Sequence, residues 1–384
     1  MTYPAIPPLG ESWPLPPANE IGLDPDGVRA WEVLLSAERA APKPAAKYQD
    51  EVIAIRLVAW LVKDLYEHRR SDAYKRLTRQ ILSCNDVLSN LQQRHANVFQ
   101  LSLDLRNRLF RVFCSRTERT PTPSPPPRTS GSRPSYEKHR ADILRSMAAA
   151  RSEDGRTHSQ AKADALLRDG YKCVLTGLYD KDTLMSVLEL NTKSDEEGVG
   201  CVDTEVAHLF SGSGTHHEAA TSILDTFGLR TLAPKLQGNR VNNLFNVITM
   251  SVPLHNDFDQ LLFWLEPVPG TEHTYTVVAR HPPTFFKQMP KPPREVTFCV
   301  EPNVANGIEL PPPDPELLAI RAACARAAAM SGAADQMRLL REEQQQNDAG
   351  TLADSESAIH LLDSLLCAVS DRDASCGQAV GVGG

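Results

Sequence analysis

The stretch "NVITMSVPLHNDFDQLLFWL", Asn246 to Leu265, decides how this chain is read. A β-prone apolar run reaches Pro253, and His255 follows with Asp259 four positions later. A proline suits the first turn of a helix, and residues i and i+4 of a helix stack on one face. His255 and Asp259 then point at one spot, while Phe258, Leu261, Leu262 and Leu265 form an adjoining apolar helical surface. An imidazole and a carboxylate one turn apart make half a site for a divalent cation. They also make an ordinary hydrogen-bonded pair on a helix surface, and the spacing alone leaves both open.

Composition narrows the classes. The 384 residues suffice for two or three domains, and the apolar share of 41% suits a globular protein. The 29 prolines and a mean hydropathy of -0.33 point to sizeable loops or linkers. The longest apolar run, "VIAIRLVAWLV" from Val52, is interrupted by Arg56 and reads as a core helix, not a membrane span. The opening "MTYPAIPPLGESWPLPP" has no secretory pattern, so an intracellular location, nuclear or cytoplasmic, is expected. Eight scattered cysteines fit free thiols in a reducing compartment. The net charge of -7 argues against a uniformly basic nucleic-acid binder. Residues 61–170 nonetheless hold 21 Lys and Arg against 12 Asp and Glu, enough for a basic face toward a polyanion.

Outward from the opening stretch, the chain divides by pattern. Residues 1–119 read as helical after a proline-rich lead, with Asp24 as N-cap and Pro25 at the first helical position. Val52, Ile55, Ala59, Val62 and Tyr66 recur at helical spacing, as do Ala73, Leu77, Ile81, Leu88 and Leu91. "TPTPSPPPRTSGSRPS", 120–135, is a linker by composition. A helical lead-in, 136–170, follows with helices around Tyr136–Ala150 and Ser159–Arg168. Beyond it "YKCVLTG", "TEVAHLF", "NVITMSV" and "TYTVVAR" are short strand-like runs, interrupted by one helix near Pro253–His255 and a turn at "PVPG". Residues 301–384 return to helix at "ELLAIRAACARAAAM", with "AIHLLDSLLCAV" as a last short helix and a disordered end.

Ordered along the chain are Cys173, Thr176 and Gly177 as Cys-x-x-Thr-Gly; Ala207-His208; Asn246 with Ile248 and Thr249; and His255-x-x-Phe258-Asp259. This set resembles the HNH nuclease domain, a ββα-metal fold, in the variety common in fungal proteins. The resemblance covers roughly 171–281 and implies an α+β protein: an HNH core at 171–300 flanked by amino- and carboxy-terminal helical regions.

The resemblance implies metal-dependent hydrolysis of nucleic-acid phosphodiesters, of DNA rather than RNA, leaving a 5′-phosphate and a 3′-hydroxyl. His208 is then the general base, since an imidazole of ordinary pKa near 6.5 can take a proton from water at neutral pH. His255 and Asp259 hold one divalent cation, Mg²⁺ or Mn²⁺, and Asn246 ties the hairpin that presents His208. Arg230, Lys235 and Arg240 are candidate phosphate contacts.

Two departures bear on activity. Ala207 stands where many HNH domains carry a third ligand, so water and phosphate oxygens would complete the shell. Strand alternation turns Glu205 away from the face of His208, which sets it aside. Thr176 stands where a paired cysteine would be, which disfavours a structural zinc. His216, His217 and Glu218 read as a solvated loop entering a helix, with a metal cluster as the alternative. The rival to an enzyme is a non-catalytic interaction or regulatory protein that retains the HNH fold.

Overall fold

Asp24 caps the first long helix, as its sequence predicts: its carboxylate accepts from the Gly27 amide, and Pro25 occupies the first turn. The structure is a computed structural model and describes residues 6–8, 11–42, 51–85, 89–114, 134–150, 155–211, 217–298, 308–339 and 342. The expected linker at 120–135, apart from its last two residues, lies outside the described residues, as do Leu88, His216 and the expected final helix. The chain forms two compact units. The first takes in the described residues up to 114, residues 225–228, and those from 326 onward.

In the first unit, helices α1 (Pro25–Ala40), α2 (Glu51–Glu67), α3 (Ser71–Ser83) and α4 (Leu91–Cys114) supply the core. Trp31 meets Trp60 edge to face with ring centroids 5.8 Å apart. The "VIAIRLVAWLV" run lies in α2, and its apolar residues from Ala54 onward are buried, as a core helix requires. Fully buried Asp64 is neutralised by Arg326, whose Nε and Nη2 lie 2.5 and 3.1 Å from its two carboxylate oxygens. Among the described residues no single helix is long and apolar enough to cross a membrane.

The second unit carries the opening stretch. Its lead-in helices are α5 (Tyr136–Ala150) and α6 (His158–Arg168), the latter begun by a Thr157–Gln160 capping box. Then come β1 (Tyr179–Asp180), α7 (Lys181–Ser186), α8 (Leu188–Glu197), β2 (Cys201–Val202), β3 (Thr204–His208) and α9 (His217–Thr226). Three 3-10 turns, Arg230–Leu236, Gly238–Asn242 and Leu244–Asn246, lead into β4 (Val247–Ser251) and α10 (Val252–Asp259). Last are β5 (Phe263–Pro267), β6 (Thr274–Ala279), α11 (Pro282–Phe285), β7 (Glu295–Thr297) and α12 (Pro315–Ser331), which belongs to this unit as far as Ala325.

Strands β3 and β4 pair antiparallel from Thr204↔Ser251 to His208↔Val247, and α10 follows β4 directly, which gives a ββα element. A second antiparallel sheet runs β5-β6-β7. Tyr171, Tyr179, Val187, Val206, Val247 and Ile308 meet in one core that also takes in Leu166 and Leu167 of α6. The lead-in is further fastened by buried Arg168, which donates to the carbonyls of Leu244 (2.8 Å) and Val247 (2.9 Å). The fold is α+β, with helices on both sides of the ββα segment in sequence.

Two local expectations need correction. "YKCVLTG" is a tight turn and not a strand. The Gly177 amide donates back to the Cys173 carbonyl (2.8 Å), and Gly177 takes a left-handed φ of 70° that suits a residue without Cβ. The helix through His255 also stops at Asp259, so Leu261, Leu262 and Leu265 do not extend it. Leu261 turns the chain at φ 54°, and Phe263–Leu265 join β5, where pairing with β6 buries both faces of the run. A short apolar run has no period to tell strand from helix, and sheet pairing decided it.

Candidate active site

His208 ends β3, His255 and Asp259 lie one turn apart on α10, and Asn246 is the last residue before β4. The hairpin and its helix therefore carry all four candidates on adjoining elements.

Asn246 is fully buried and faces the backbone. Its Oδ1 accepts from the Phe210 amide (3.0 Å), and its Nδ2 donates to the carbonyls of Phe210 (2.9 Å) and Val241 (2.8 Å). These bonds tie the segment after β3 to the one before β4. Its side chain is consumed by that task.

His208 is buried, with Nε2 2.8 Å from the Oδ1 of Asn242 and with Nδ1 buried and lacking a hydrogen-bond partner among the described residues. Burial pushes its pKa down to about 4. The Asn242 bond and the Asp259 charge oppose that fall, while His158 and His255 reinforce it. His208 thus lies within electrostatic reach of both His255 and Asp259, and it is neutral at pH 7. The His158 ring sits 5.4 Å from it, centroid to centroid.

His255 faces a carboxylate at each ring nitrogen. Nδ1 lies 2.8 Å from Oε2 of Glu205, and Nε2, which has no hydrogen-bond partner among the described residues, lies 3.4 Å from Oδ2 of Asp259. Strand alternation turns Glu205 away from the face of His208, yet its carboxylate reaches His255 of the adjoining helix. Carboxylate-bound histidines of this kind present the opposite nitrogen to a metal in a fixed tautomer. Two donor atoms that share one cation at about 2.1 Å, roughly at right angles or a little wider, stand about 3.0–3.4 Å apart. Nε2 and Oδ2 meet that condition, so the pair fits a divalent cation. Among the described residues no three His, Cys, Asp or Glu side chains converge on one ion.

Arg321 of α12 was not foreseen. It is almost fully buried and stacks on the Phe258 ring, 3.6 Å from its centroid. Its guanidinium donates to the carbonyls of Leu209 (3.0 Å) and Phe258, and lies 3.8 Å from Oδ1 of Asp259. It thereby links the end of the His208 strand to α10. Asn242 was also missed. The one signal in sequence was two arginines, 321 and 326, in an otherwise alanine-rich helix, where a charge costs burial unless it is paired.

The candidate phosphate contacts Arg230, Lys235 and Arg240 are exposed on the first two 3-10 turns, and Arg240 is two residues from Asn242. A separate groove of about 630 Å³ includes exposed Lys287, Lys291 and Arg294 beside Phe286 and Thr176, with no acidic residue in its lining among the described residues. His217 and Glu218 begin α9, where His217 contacts Thr221 at 3.5 Å.

No curated protein and no solved structure matches this chain. One protein family does: residues 173–266 match the sequence model of the HNH endonuclease family, from the Cys173 turn to Glu266 of β5. HNH domains generally use a divalent metal and act on nucleic acid. With the match ending within the element that follows His255 and Asp259, and the ββα segment at its centre, the comparison supports a domain of the HNH family at residues 173–266.

Proposed function

We propose that this chain is a metal-dependent endonuclease that hydrolyses phosphodiester bonds, with DNA as its substrate before RNA. One observation carries the reading: a buried, neutral imidazole with a bare Nδ1, within reach of a histidine–carboxylate pair spaced for a cation. Hydrolysis of a phosphodiester needs a deprotonated water, charge relief on the phosphate and a stabilised leaving oxygen. Nδ1 of His208 takes a proton from the attacking water. The water oxygen bonds to phosphorus, the bond to the 3′ oxygen breaks, and that oxygen acquires a proton from solvent. The products are a 5′-phosphate and a 3′-hydroxyl. An anionic phosphate beside His208 favours its imidazolium form, which raises its basicity in the complex above that of the empty site.

His255 and Asp259 would hold the cation, Mg²⁺ or Mn²⁺, with Glu205 orienting His255. Bound there, a cation would supply charge relief to the phosphate, with room for water and phosphate oxygens beside the two side chains. Asn246 acts on the backbone, so its part is to hold the hairpin. Arg230, Lys235 and Arg240 offer phosphate contacts around the site, and the Lys287–Lys291–Arg294 groove offers more at a distance along the chain.

A second reading has its own observation. Arg321 lies against Asp259 and partly satisfies a carboxylate that a metal would need, which favours a fold retained for interaction without cutting. Supercoiled plasmid incubated with the purified chain separates the two. Nicking with Mg²⁺ or Mn²⁺ that EDTA abolishes is the expected result. Intact plasmid across metals and concentrations, with metal binding verified, refutes the enzyme.

A further inference from the structure

The hydrogen-bonded partner of the His208 ring, Asn242, is itself held by a segment upstream of the family match. Nε2 of His208 contacts Oδ1 of Asn242 at 2.8 Å, and Nδ2 of the same amide donates to the Arg156 carbonyl at 2.7 Å. A backbone carbonyl only accepts, so the amide nitrogen must face Arg156 and the amide oxygen must face His208. That oxygen also only accepts. The proton of the neutral ring therefore sits on Nε2, and Nδ1 keeps its lone pair.

The Arg156 carbonyl is itself fixed. Its own amide donates to the Asn239 carbonyl (3.3 Å), in the same 3-10 turn as Asn242. Its buried guanidinium is anchored by Asp164 of α6 (Nε to Oδ2, 2.6 Å) and by the Ser146 carbonyl of α5 (3.1 Å). Gly155 lets this strap come close: it has φ 123°, and a Cβ there would lie 2.5 Å from the Asn239 carbonyl carbon and 2.7 Å from the Arg240 nitrogen. Gly155, Arg156 and Asp164 all precede residue 173, where the family match begins.

We propose that Asn242 is a positioning residue that sets the tautomer of His208, and that the lead-in strap Gly155–Arg156, held by Asp164, fixes Asn242 for that task. The inference deepens the nuclease reading and rests on it for its catalytic consequence, but the tautomer itself is observable without any cleavage. Among the described residues, nothing but the Asn242 oxygen holds the proton on Nε2. A ring that carries it on Nδ1 has no lone pair where water must be deprotonated.

The test is a long-range ¹H–¹⁵N correlation spectrum of the His208 ring in the full chain, paired with plasmid-nicking kinetics, for wild type, Asn242→Ala, Asn242→Asp and Gly155→Ala. Wild type should show the Nε2–H tautomer. Asn242→Ala should move the ring to the Nδ1–H form or a mixture and lower kcat, with KM for plasmid unchanged. The fall in kcat should lie within the roughly 10²–10⁴-fold that general-base catalysis contributes. Asn242→Asp keeps an accepting oxygen on Nε2 and should retain the tautomer. Gly155→Ala, which displaces the strap without touching the ring, should shift the ring in the same direction as Asn242→Ala. An Nδ1–H ring in wild type, or an unchanged Nε2–H ring in Asn242→Ala, overturns the proposal. A ring that shifts as expected in a protein that cuts nothing upholds the positioning role and overturns the nuclease reading alone.

Discussion

Replacing Asn246 by alanine should loosen the hairpin that carries His208 without touching the metal pair. Three buried hydrogen bonds disappear together: from the Phe210 amide, and to the Phe210 and Val241 carbonyls. At a net contribution of about 1 kcal/mol per buried bond, the hairpin loses about 3 kcal/mol, and a Phe210 amide left without its acceptor adds to that. The loss multiplies the open fraction of that segment by about 10². Hydrogen exchange read by mass spectrometry on peptides spanning 204–211 and 246–251 localises the effect, which a global melt of a two-unit chain would blur. Exchange in both peptides should quicken by about two orders of magnitude, while α2 of the other unit stays as slow as in wild type. Protection within tenfold of wild type in both peptides would refute the scaffold account of Asn246.

Two further outcomes follow from the same geometry. The folded-state pKa of His208, about 4, lies below its ordinary 6.5, so between those values the unfolded chain binds the proton first. Stability should therefore be complete above pH 6.5 and fall as pH drops toward 4, by about 3 kcal/mol from this group. Denaturant midpoints of wild type and His208→Gln at pH 7 and pH 5 check it: wild type should lose more, and parallel losses would contradict the burial. Glu205→Gln leaves α10 intact but removes the carboxylate from Nδ1 of His255, so Mn²⁺ affinity by calorimetry should weaken roughly 10–100-fold, the usual cost of losing such a partner. Unchanged affinity would show that Glu205 does not orient the ligand.

What the sequence carried was local. The i,i+4 spacing of His255 and Asp259 and the ordered motifs placed the ββα element, and the N-cap Asp24–Pro25 set the start of α1. What it lacked was long-range. The bond from Asn242 to His208 spans 34 positions, and the carbonyl contacts of Arg321 on Leu209 and Phe258 span 112 and 63. No period or spacing encodes such pairings. Glu205 shows the same limit from the other side: alternation describes which face of a strand a residue is on, but not what an adjoining helix brings to that face. The Phe263–Leu265 run failed as helix because its partner, β6, was invisible from its own residues.

The most direct test of the two histidines' roles is plasmid-nicking rate as a function of Mn²⁺ concentration for wild type, His208→Ala and His255→Ala. With His208 as the base, His208→Ala should saturate at wild-type Mn²⁺ concentrations but at a rate lower by roughly 10²–10⁴-fold, beyond rescue by metal. With His255 as one of two protein ligands, His255→Ala should need far more Mn²⁺ and recover part of its rate in excess. Identical Mn²⁺ dependence in wild type and His255→Ala, or rescue of His208→Ala by Mn²⁺, would contradict the account.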